Sequence, residues 1–577
     1  MLASQIQKIR HCFEDALREM DAPENIPVVL EKPRQSSNGD LACTIALQCA
    51  KALKKNPRQI ATELVEKLSK NPAVSELIKT IDIAGPGFIN MALTDNAKQE
   101  IIRTVLKEGT RFGHSEENKD KSVIIEYVSA NPTGPLHLGH ARQGALGDVL
   151  SNLFASQGWN VTREFYYNDA GVQIHNLAIS VQYRAKELNG EAVEFPESGY
   201  HGSYIYDIAK LYLEKCSITT FDGQEIASSG DLDDLEAIRR YAVAFLRNEQ
   251  NSDLKALGVA FDNFYLESSL YSDGLVARAV DSIQKHGKTF DEGGALWFRS
   301  TDYGDDKDRV MRKADGTFTY FVPDVAYHLT KFERGFSRAI DIQGSDHHGT
   351  TARVRAGIQA AGAELGLDIP QTFPEYMLHK MVKVVMNGEE VKMSKRAGTY
   401  VTLRELVDWV GRDAARLFLV SRKCDAEFTF DVDLARSQSD ENPVYYLQYA
   451  HARICSVLKQ AIEKGFVVPT DAECTTMDLS SLNSESEFNL MATLSKFPEI
   501  LAFGAEEKAP HSLGNYLKDL AANFHSFYNA QRILIDDANV RNARLALLLA
   551  TRQVLRNGLS ILGVSAPERM DREETAC

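Results

Sequence analysis

Two histidines three residues apart, His137 and His140, stand in the stretch NPTGPLHLGHARQG, directly after a proline-rich turn. A pair of histidines can bind zinc, but a zinc site needs further ligands, and no convincing one stands nearby in the sequence. The rings could instead simply satisfy the N-terminus of a helix. Imidazole N–H groups at such a terminus can also donate to phosphate oxygens. The position therefore favours a nucleotide site, in which Gly139 lets an adenine lie against the backbone.

Two lysines with the same spacing, Lys392 and Lys395, stand in the later stretch VKMSKRAG, beside Gly398. Ammonium groups on a loop suit the transient task of neutralising charge on an α-phosphate and a departing diphosphate. A lone K-x-x-K is usually solvated surface. HLGH followed by KMSK about 250 residues later is a far more specific combination. We expect both pairs to meet one ATP, with the histidines acting as cations alongside the lysines.

The segment around the histidines has the pattern of a strand, a turn and a helix. VIIEYV is a short apolar run typical of a buried strand, SANPTGP is a turn, and Leu146, Leu150 and Phe154 then follow at helical spacing. Strand, turn and helix begin a βαβ unit, and nucleotides bind at the carboxyl ends of such strands. We therefore expect a Rossmann-like, doubly wound parallel sheet, with later strands in NVTREFYYND, RAIDIQGSD and KMVKVVM.

Two further units flank this sheet in the predicted multidomain α/β fold. Residues 1–115 alternate helical and strand-like patterns, including a strand pair in IDIAGPGFIN, and predict a small α+β domain. The catalytic domain, 116–400, contains a mostly charged helical insertion at about 175–280. From 401 the strand patterns disappear, and residues 401–577 predict an all-α domain.

Composition excludes several classes of protein. The 577 residues are 44% hydrophobic and 25% charged, and no apolar run approaches the roughly 18 residues of a membrane span. The N-terminus lacks a signal core, and Glu14, Asp15 and Glu19 argue against a transit peptide. A cytoplasmic protein without membrane contact is expected. The eight cysteines form no C-x-x-C pair, so neither a structural zinc nor another protein-bound metal is predicted.

The net charge of −15 neither supports nor excludes a nucleic-acid partner, because charges are screened over about 8 Å at physiological salt. Local basic patches matter more. One holds Lys54 and Lys55 in AKALKKNPRQ, although a single basic run is more often a solvated helix face.

HLGH followed by KMSK is the signature pair of the class I aminoacyl-tRNA synthetases, and the chain resembles the arginyl-tRNA synthetase family within that class. The resemblance covers nearly the whole chain and includes a leading domain that precedes the catalytic core in arginyl enzymes. The matching segments, in family order, are GDLACTIALQCAKALKKNPRQIA, IAGPGFIN, EYVSANPTGPLHLGHARQGALGD, FYYNDAGVQ, YGDDKDRVMRKADGTFTYFVPDVAY, GSDHHG, GRDAARLF, YYLQYAHAR and LGVSAPERM.

The resemblance implies a two-step reaction. L-Arginine and ATP, accompanied by Mg²⁺, give arginyl-AMP and diphosphate. The arginine then passes to the 3′-terminal ribose of tRNA(Arg), and the bound tRNA is needed for activation. Positioning and electrostatics carry the chemistry without a side-chain nucleophile. The ATP contacts implied are His137, Gly139, His140, Met393 and Lys395. We expect a monomer.

A guanidinium is planar and always charged, so its pocket calls for carboxylates in a fixed plane. The resemblance assigns arginine binding to Glu126, Ser129, Asn131, Tyr320, Asp324 and His347. Asp324 could instead cap a helix and Tyr320 could be core. His347 departs from the family, which commonly has glutamine there, and His348 is an equal alternative.

The resemblance assigns tRNA contacts to both ends of the chain. Tyr445, Tyr449 and Arg453 form one helical stripe that could stack on anticodon bases, with Met570 near the same loop. The two tyrosines could equally be an aromatic core stripe. In the leading domain, Asn90 and the Lys54–Lys55 patch are the candidates for the tRNA elbow.

Three other classes compete with this interpretation. A class I synthetase for another amino acid is disfavoured by the order of the segments. A catalytically silent tRNA-binding relative would have lost the histidines or lysines, and this chain has kept them. A nucleotidyltransferase without a tRNA partner is disfavoured by the long helical C-terminal region.

Overall fold

The computed structural model of the chain describes residues 2–33, 35, 38–169, 171–221, 223–391 and 400–570. They form an N-terminal α+β unit, a parallel sheet covered by helices and a C-terminal helical unit. The predicted fold class is confirmed. The exact domain boundaries remain a prediction. No helix among the described residues is both long and apolar enough to cross a membrane.

The N-terminal unit is a four-stranded antiparallel sheet, in the order β1-β2-β4-β3, packed against helices. Its elements are α1 (Ala3–Arg18), β1 (Leu30–Glu31), β2 (Leu41–Cys43), α2 (Ile45–Leu53), α3 (Pro57–Ser69), α4 (Pro72–Leu77), β3 (Ile78–Ala84), β4 (Phe88–Leu93) and α5 (Asp95–Glu108). The strand pair predicted in IDIAGPGFIN is the β3–β4 hairpin. Helix α5 buries Ile101, Ile102 and Val105 in the core shared with the catalytic and C-terminal helices.

The central sheet contains five parallel strands in the order β14-β13-β5-β6-β9. They are β5 (Ser122–Glu126), β6 (Asn160–Tyr167), β9 (Asn263–Leu266), β13 (Arg338–Gly344) and β14 (Glu375–His379). Val123, Ile124 and Ile125 of β5 are fully buried, as expected of a parallel strand covered on both faces. From β5 the sheet continues through β6 to β9 on one side, and through β13 to β14 on the other side. The carboxyl ends of β5 and β13 therefore flank the switch point at which doubly wound sheets bind ligands.

Helix α6 (Leu138–Ser156) follows β5 and carries the HLGH stretch at its start. It lies close against the sheet because it has glycine at position 147. A Cβ atom there would stand 2.2 Å from the ring of Tyr127. The predicted strand, turn and helix are confirmed.

The segment between β6 and β13 is more than a helical insertion. It contains α7 (Val172–Leu188), α8 (Ser203–Leu213), β7 (Ile218–Thr219), β8 (Glu225–Ile226), α9 (Leu235–Leu257), α10 (Glu267–Ser272), α11 (Leu275–Lys285), β10 (Thr289–Glu292), β11 (Ala295–Phe298), β12 (Arg309–Arg312) and α12 (Phe321–Glu333). The insertion expected to be mostly helical at 175–280 is mostly helical, but it also contains β9, which is an edge strand of the central sheet.

Two expectations about strands are wrong. KMVKVVM does form a strand, β15 (Val382–Met386), but it belongs to a separate small sheet with β16 (Glu389–Glu390) and β17 (Phe428–Asp431). Strand β17 also lies beyond position 400, where no further strand was expected. In the sequence, the KMSK segment follows β16 of this small sheet.

Helices dominate the rest of the chain. Helix α13 (His348–Glu364) packs against α11 and α12. The later helices are α14 (Leu403–Val410), α15 (Arg412–Val420), α16 (Val432–Arg436), α17 (Pro443–Glu463), α18 (Asp471–Cys474), α19 (Glu485–Leu494), α20 (Phe497–Glu506), α21 (His511–Ala530) and α22 (Ala538–Leu562). Their apolar faces join the catalytic domain in one continuous core.

Candidate active site at the carboxyl edge of the sheet

The turn between β5 and α6 is held in an unusual backbone conformation. Val128 and Ser129 both have positive φ, 70° and 43°, which non-glycine residues rarely adopt. Gln250 of α9 stabilises the turn, because its side-chain amide donates to the carbonyls of Asn131 (3.0 Å) and Gly134 (2.9 Å). The surrounding structure thus holds a strained turn at the switch point of the sheet.

The two histidines cap helix α6. Nδ1 of His137 accepts hydrogen bonds from the backbone N–H groups of Gly139 (3.0 Å) and His140 (3.4 Å), and Nδ1 of His140 accepts from the N–H of His137 (3.3 Å). The rings stack with centroids 3.7 Å apart. With both Nδ1 atoms accepting, each neutral ring carries its proton on Nε2, which remains the donor for a ligand. The hydrogen bonds to the helix N-terminus, which the sequence offered as an alternative explanation of the histidines, are thus part of the candidate site.

Burial disfavours the charged form of both histidines in the free site. Burial lowers the pKa of His137, and burial together with the neighbouring ring lowers the pKa of His140 well below its ordinary value. Their expected role as cations beside a triphosphate, whose negative charge would favour protonation, stays a prediction. Gly139 makes room for the His137 ring, since a Cβ atom there would lie 2.8 Å from Cε1 of that ring. Its contact with adenine remains a prediction.

The chain returns to these histidines directly after the KMSK segment. Leu138 donates its N–H to Val401 O (3.1 Å), and Leu403 donates to Leu136 O (2.8 Å). The edge of the Tyr400 ring faces the His137 ring, with centroids 5.2 Å apart. Lys392, Met393, Lys395 and Gly398 lie outside the described residues. The first described residue after them is thus in contact with the histidine cap.

Three of the residues assigned to arginine come together. Glu126 ends β5, and its Oε1 accepts from the Ser129 hydroxyl (2.8 Å) while its Oε2 accepts from Lys331 Nζ (2.6 Å). Asp324 is the fourth residue of α12 and faces the same region. Because it lies inside the helix, after Tyr320 at the N-cap position, it is not the cap of that helix. Burial, and then the charges of Glu126 and other carboxylates, raise the pKa of Asp324 to about 8. A cationic ligand would relieve this repulsion.

Three other assigned residues lie apart from these acids. The Asn131 side chain donates to Gln173 Oε1 (2.5 Å). Tyr320 is 92% exposed at the start of α12, so the alternative that it is core is excluded. His347 is exposed, with Nε2 3.7 Å from Asp346, and His348 is exposed beside it. Their roles remain predictions.

Two residues at this edge were missed from the sequence. Glu267 follows β9 and accepts a hydrogen bond from the Tyr166 hydroxyl (3.0 Å), and its charge contributes to the raised pKa of Asp324. His379 ends β14, contacts Gln143 of α6 (3.0 Å), and has its pKa lowered to about 4 by burial. Each follows a strand that the sequence pattern did not reveal, which is why neither was assigned to this edge.

The residues assigned to tRNA differ in exposure. Tyr445 is 6% exposed and stacks on Tyr449 at 5.8 Å, which favours the core-stripe alternative for Tyr445. Tyr449 and Met570 are half-buried. The Arg453 guanidinium lies 3.9 Å from the ring centroid of Tyr528. In the leading domain Asn90 is 9% exposed within its sheet, which leaves little of it open to a partner. These roles also remain predictions.

No group of three or more metal-binding side chains is arranged to hold an ion in the part of the chain that the structure describes. The predicted reaction requires only the Mg²⁺ that accompanies ATP.

Comparison with known proteins identifies all three parts of the chain. Family models match residues 7–93 (arginyl-tRNA synthetase N-terminal domain), 101–429 (class I (R) tRNA synthetase catalytic domain) and 447–570 (DALR anticodon-binding domain). The arginine–tRNA ligase of Herminiimonas arsenicoxydans is 57% identical over 99% of this chain and 100% of its own length. That of Burkholderia ambifaria is 54% identical, covering 99% and 98%.

Solved structures agree on the fold. A candidate arginyl-tRNA synthetase from Campylobacter jejuni has a TM-score of 0.73 and 34% identity, covering 83% of this chain and 100% of its own. The Thermus thermophilus arginyl-tRNA synthetase has a TM-score of 0.69 at 23% identity, covering 98% and 100%, and therefore supports the fold alone.

Proposed function

The chain belongs to the arginyl-tRNA synthetase family of class I, and from that premise we propose how its own residues carry out the reaction. It is an ATP-dependent arginine–tRNA ligase. The observation that carries the residue assignments is the meeting, at one edge of the sheet, of the histidine cap and the acid-lined pocket.

In the first step, ATP binds over the start of α6. The Nε2–H groups of His137 and His140 donate to phosphate oxygens, and the N-terminus of the helix adds its positive end. Lys392 and Lys395 supply cationic charge alongside the two histidines, and Met393 with Gly139 contributes to the adenine site. Mg²⁺ accompanying ATP supplies further charge neutralisation.

The arginine side chain binds between Glu126 and Asp324, with Ser129 at the floor. Glu126 ends β5 and Asp324 lies in the first turn of α12, and the raised pKa of Asp324 supports a site that becomes fully ionised when a guanidinium enters. Tyr320 belongs to the same side-chain pocket, and Asn131 and the His347 region hold the α-amino and α-carboxylate groups. The arginine carboxylate then attacks the α-phosphate, and diphosphate leaves.

In the second step, a hydroxyl of the 3′-terminal ribose of tRNA(Arg) attacks the adenylate carbonyl, and AMP leaves. The anticodon arm contacts the helical unit through Tyr449, Arg453 and Met570, with Tyr445 supporting them, and the tRNA elbow contacts the N-terminal unit near Asn90. Bound tRNA is required for activation. The enzyme acts as a cytoplasmic monomer, within the proposed boundaries 1–115, 116–400 and 401–577.

ATP–diphosphate exchange across the twenty amino acids tests this function. Exchange should appear with arginine and tRNA(Arg) together and be nearly absent without the tRNA. Asp324→Ala should weaken arginine use by about 30-fold or more, because it removes one partner of a buried charged pair, with ATP affinity unchanged. Exchange driven by a different amino acid would overturn the assignment. Equal losses for arginine and ATP would mean that the pocket is misplaced.

A further inference from the structure

Three acids lie side by side beneath the proposed arginine pocket. Asp341 of β13, Glu126 of β5 and Glu164 of β6 are in register across three adjacent parallel strands, so their side chains leave the sheet on the same face. All three are buried. Carboxylates so close together in a dry region repel one another and cannot remain ionised without cations. We name Asp341, Glu126 and Glu164 the acid row.

Helix α12 supplies the cations for the acid row. Lys331 is fully buried, and its Nζ donates to Glu126 Oε2 (2.6 Å) and Asp341 Oδ1 (2.8 Å). Arg334, one turn later, donates two parallel bonds to Glu164 (2.7 and 2.9 Å). Burial alone would lower the pKa of Lys331, but the charges of Asp341 and Glu126 raise it, so the ammonium form persists. The three carboxylates of the acid row are therefore paired with two cations, Lys331 and Arg334.

The same helix carries the pocket's other acid. Asp324 stands seven residues before Lys331, two helical turns away and on the same stripe of α12. Helix α12 thus bears both a carboxylate for the arginine guanidinium and the ammonium that contacts the second carboxylate, Glu126. Because Ser129 holds Oε1 of Glu126 and Lys331 holds Oε2, the plane of this carboxylate is fixed without a ligand.

We propose that Lys331 is a positioning residue for arginine selection: its ammonium group holds Glu126 in one plane and places a positive charge beside it, ready for a planar guanidinium. Lys331 itself does not touch the substrate. The inference rests on the proposed role of Glu126 in binding arginine. An ordinary buried ion pair would contribute to folding alone. Lys331 differs because one of its two partners is a residue of the binding site.

Several ionisable groups surround Glu126 besides Lys331. On α12 these are Asp324, Tyr327, His328 and Arg334. From the sheet and α10 they are Asp341, Glu164, Tyr166, Tyr376 and Glu267. Lys331 and Arg334 are the cations of this group, since burial lowers the pKa of His328 well below its ordinary value. Burial raises the pKa of Asp341 and the charge of Lys331 lowers it, so loss of Lys331 would raise it further.

Lys331→Met tests the proposal in the full-length enzyme with its tRNA. The KM for arginine should rise about tenfold or more, because a small misplacement of a binding group is costly, while the KM for ATP stays within about twofold. The pH above which arginine affinity becomes constant should also move upward, because the charge of Lys331 lowers the pKa of Asp324 and its loss lets that pKa rise further. A purely structural lysine would move neither the ratio of the two KM values nor this profile.

Two companion variants separate charge from orientation and protect the test against misfolding. Lys331→Met combined with Asp341→Asn removes one cation and one acid, so the charge of the row is unchanged and the folding penalty is smaller. This double variant should keep a raised KM for arginine with a pH profile closer to the wild type. Lys331→Arg retains the charge and should restore the wild-type profile. Lys285→Met, at an exposed lysine, is the matched control and should leave both KM values unchanged.

The outcomes distinguish this proposal from the proposed function. If the wild-type enzyme does not activate arginine, the proposed function itself fails. If the wild type does so but a folded Lys331→Met or double variant has an unchanged KM for arginine, the role of Lys331 is overturned. Equal rises in both KM values, or a Lys331→Arg profile as shifted as that of Lys331→Met, would also overturn it.

Discussion

At the scale of single residues, the hydrogen bonds of His137 and His140 determine which ring atom is open to a ligand. Each Nδ1 is occupied by a backbone N–H of the first helical turn, so Nε2 carries the proton. The rings cap the helix, and we propose that they also donate to phosphate, so that the two roles the sequence presented as alternatives are combined. The two roles can be separated by mutation.

His137→Asn should retain the cap through its carbonyl oxygen, while its shorter side chain no longer places a donor at the position of Nε2. Asparagine is among the most favourable N-cap residues, so the melting temperature should be unchanged. Adenylate formation should slow by about 100-fold, the typical cost of removing one preorganised donor to a developing charge. Calorimetric melting and single-turnover kinetics measure the two effects. Wild-type turnover in this variant would contradict the donor role, and His137→Ala, which loses both functions, is the comparison.

Asp324 predicts a proton release that accompanies arginine binding. Its pKa is raised to about 8 in the free site by burial and by neighbouring carboxylates. Below pH 8 the free carboxyl is therefore mostly protonated, and it must ionise to pair with a guanidinium. Nearly one proton should leave per arginine at pH 7 and about half a proton at pH 8, with affinity rising as pH rises until about pH 8.

Titration calorimetry in two buffers of different ionisation enthalpy measures this release. Asp324→Asn is the control and should abolish it. Arginine binding with no proton release at pH 7 would show that Asp324 is already ionised in the free enzyme, contrary to the effect of its surroundings.

At the scale of elements, the sequence revealed those with strong local patterns. Strand β5 is an apolar run covered on both faces, and α6 repeats its apolar residues at helical spacing, so both were predicted. Strands β9 and β14 are short edge strands without an apolar run, and their hydrogen bonds come from distant parts of the chain. Missing them meant missing the side chains that follow them, Glu267 and His379.

The acid row was likewise invisible in the sequence. Its three members stand in separate strands, and nothing local states that Asp341, Glu126 and Glu164 share one register. By contrast, resemblance assigned Glu126, Ser129 and Asp324 to one pocket, and the structure brings the three side chains together; their roles remain a proposal.

Gln250 predicts how α9 supports the active-site turn. Its amide is fully buried and satisfies two carbonyls of the turn between β5 and α6. Gln250→Leu should leave those carbonyls unpaired and cost about 1–3 kcal/mol of stability. Because the turn contains Asn131 and leads directly into His137, the KM values for arginine and ATP should rise together. Steady-state kinetics with urea denaturation check this, and a normal KM for ATP would contradict the supporting role.

At the scale of the whole molecule, one buried arginine connects four helices. The Arg416 guanidinium of α15 donates to Asp148 of α6 (2.5 Å), to Leu562 O at the end of α22 (2.9 Å), and to the carbonyls of Leu257 and Gly258 at the end of α9 (both 3.2 Å). This polar junction therefore joins the helical C-terminal unit, the insertion and helix α6.

Arg416→Met should destabilise the enzyme by about 3–5 kcal/mol, because Asp148 would be left as a partly buried charge without its main partner. Arg163 lies 3.8 Å from Asp148 and compensates only weakly. Thermal and urea unfolding measure the loss, and Arg416→Lys should recover part of it. An unchanged melting temperature in the methionine variant would contradict the junction's role.

The most direct test of the account is a crystal structure of the enzyme with a non-hydrolysable arginyl-adenylate analogue and tRNA(Arg). The account predicts the analogue's phosphate within hydrogen-bonding distance of Nε2 of His137 or His140, at least one of Lys392 and Lys395 directed at the nucleotide cleft, and the guanidinium between Glu126 and Asp324. A guanidinium bound away from these two acids, or KMSK lysines directed away from the cleft, would contradict it.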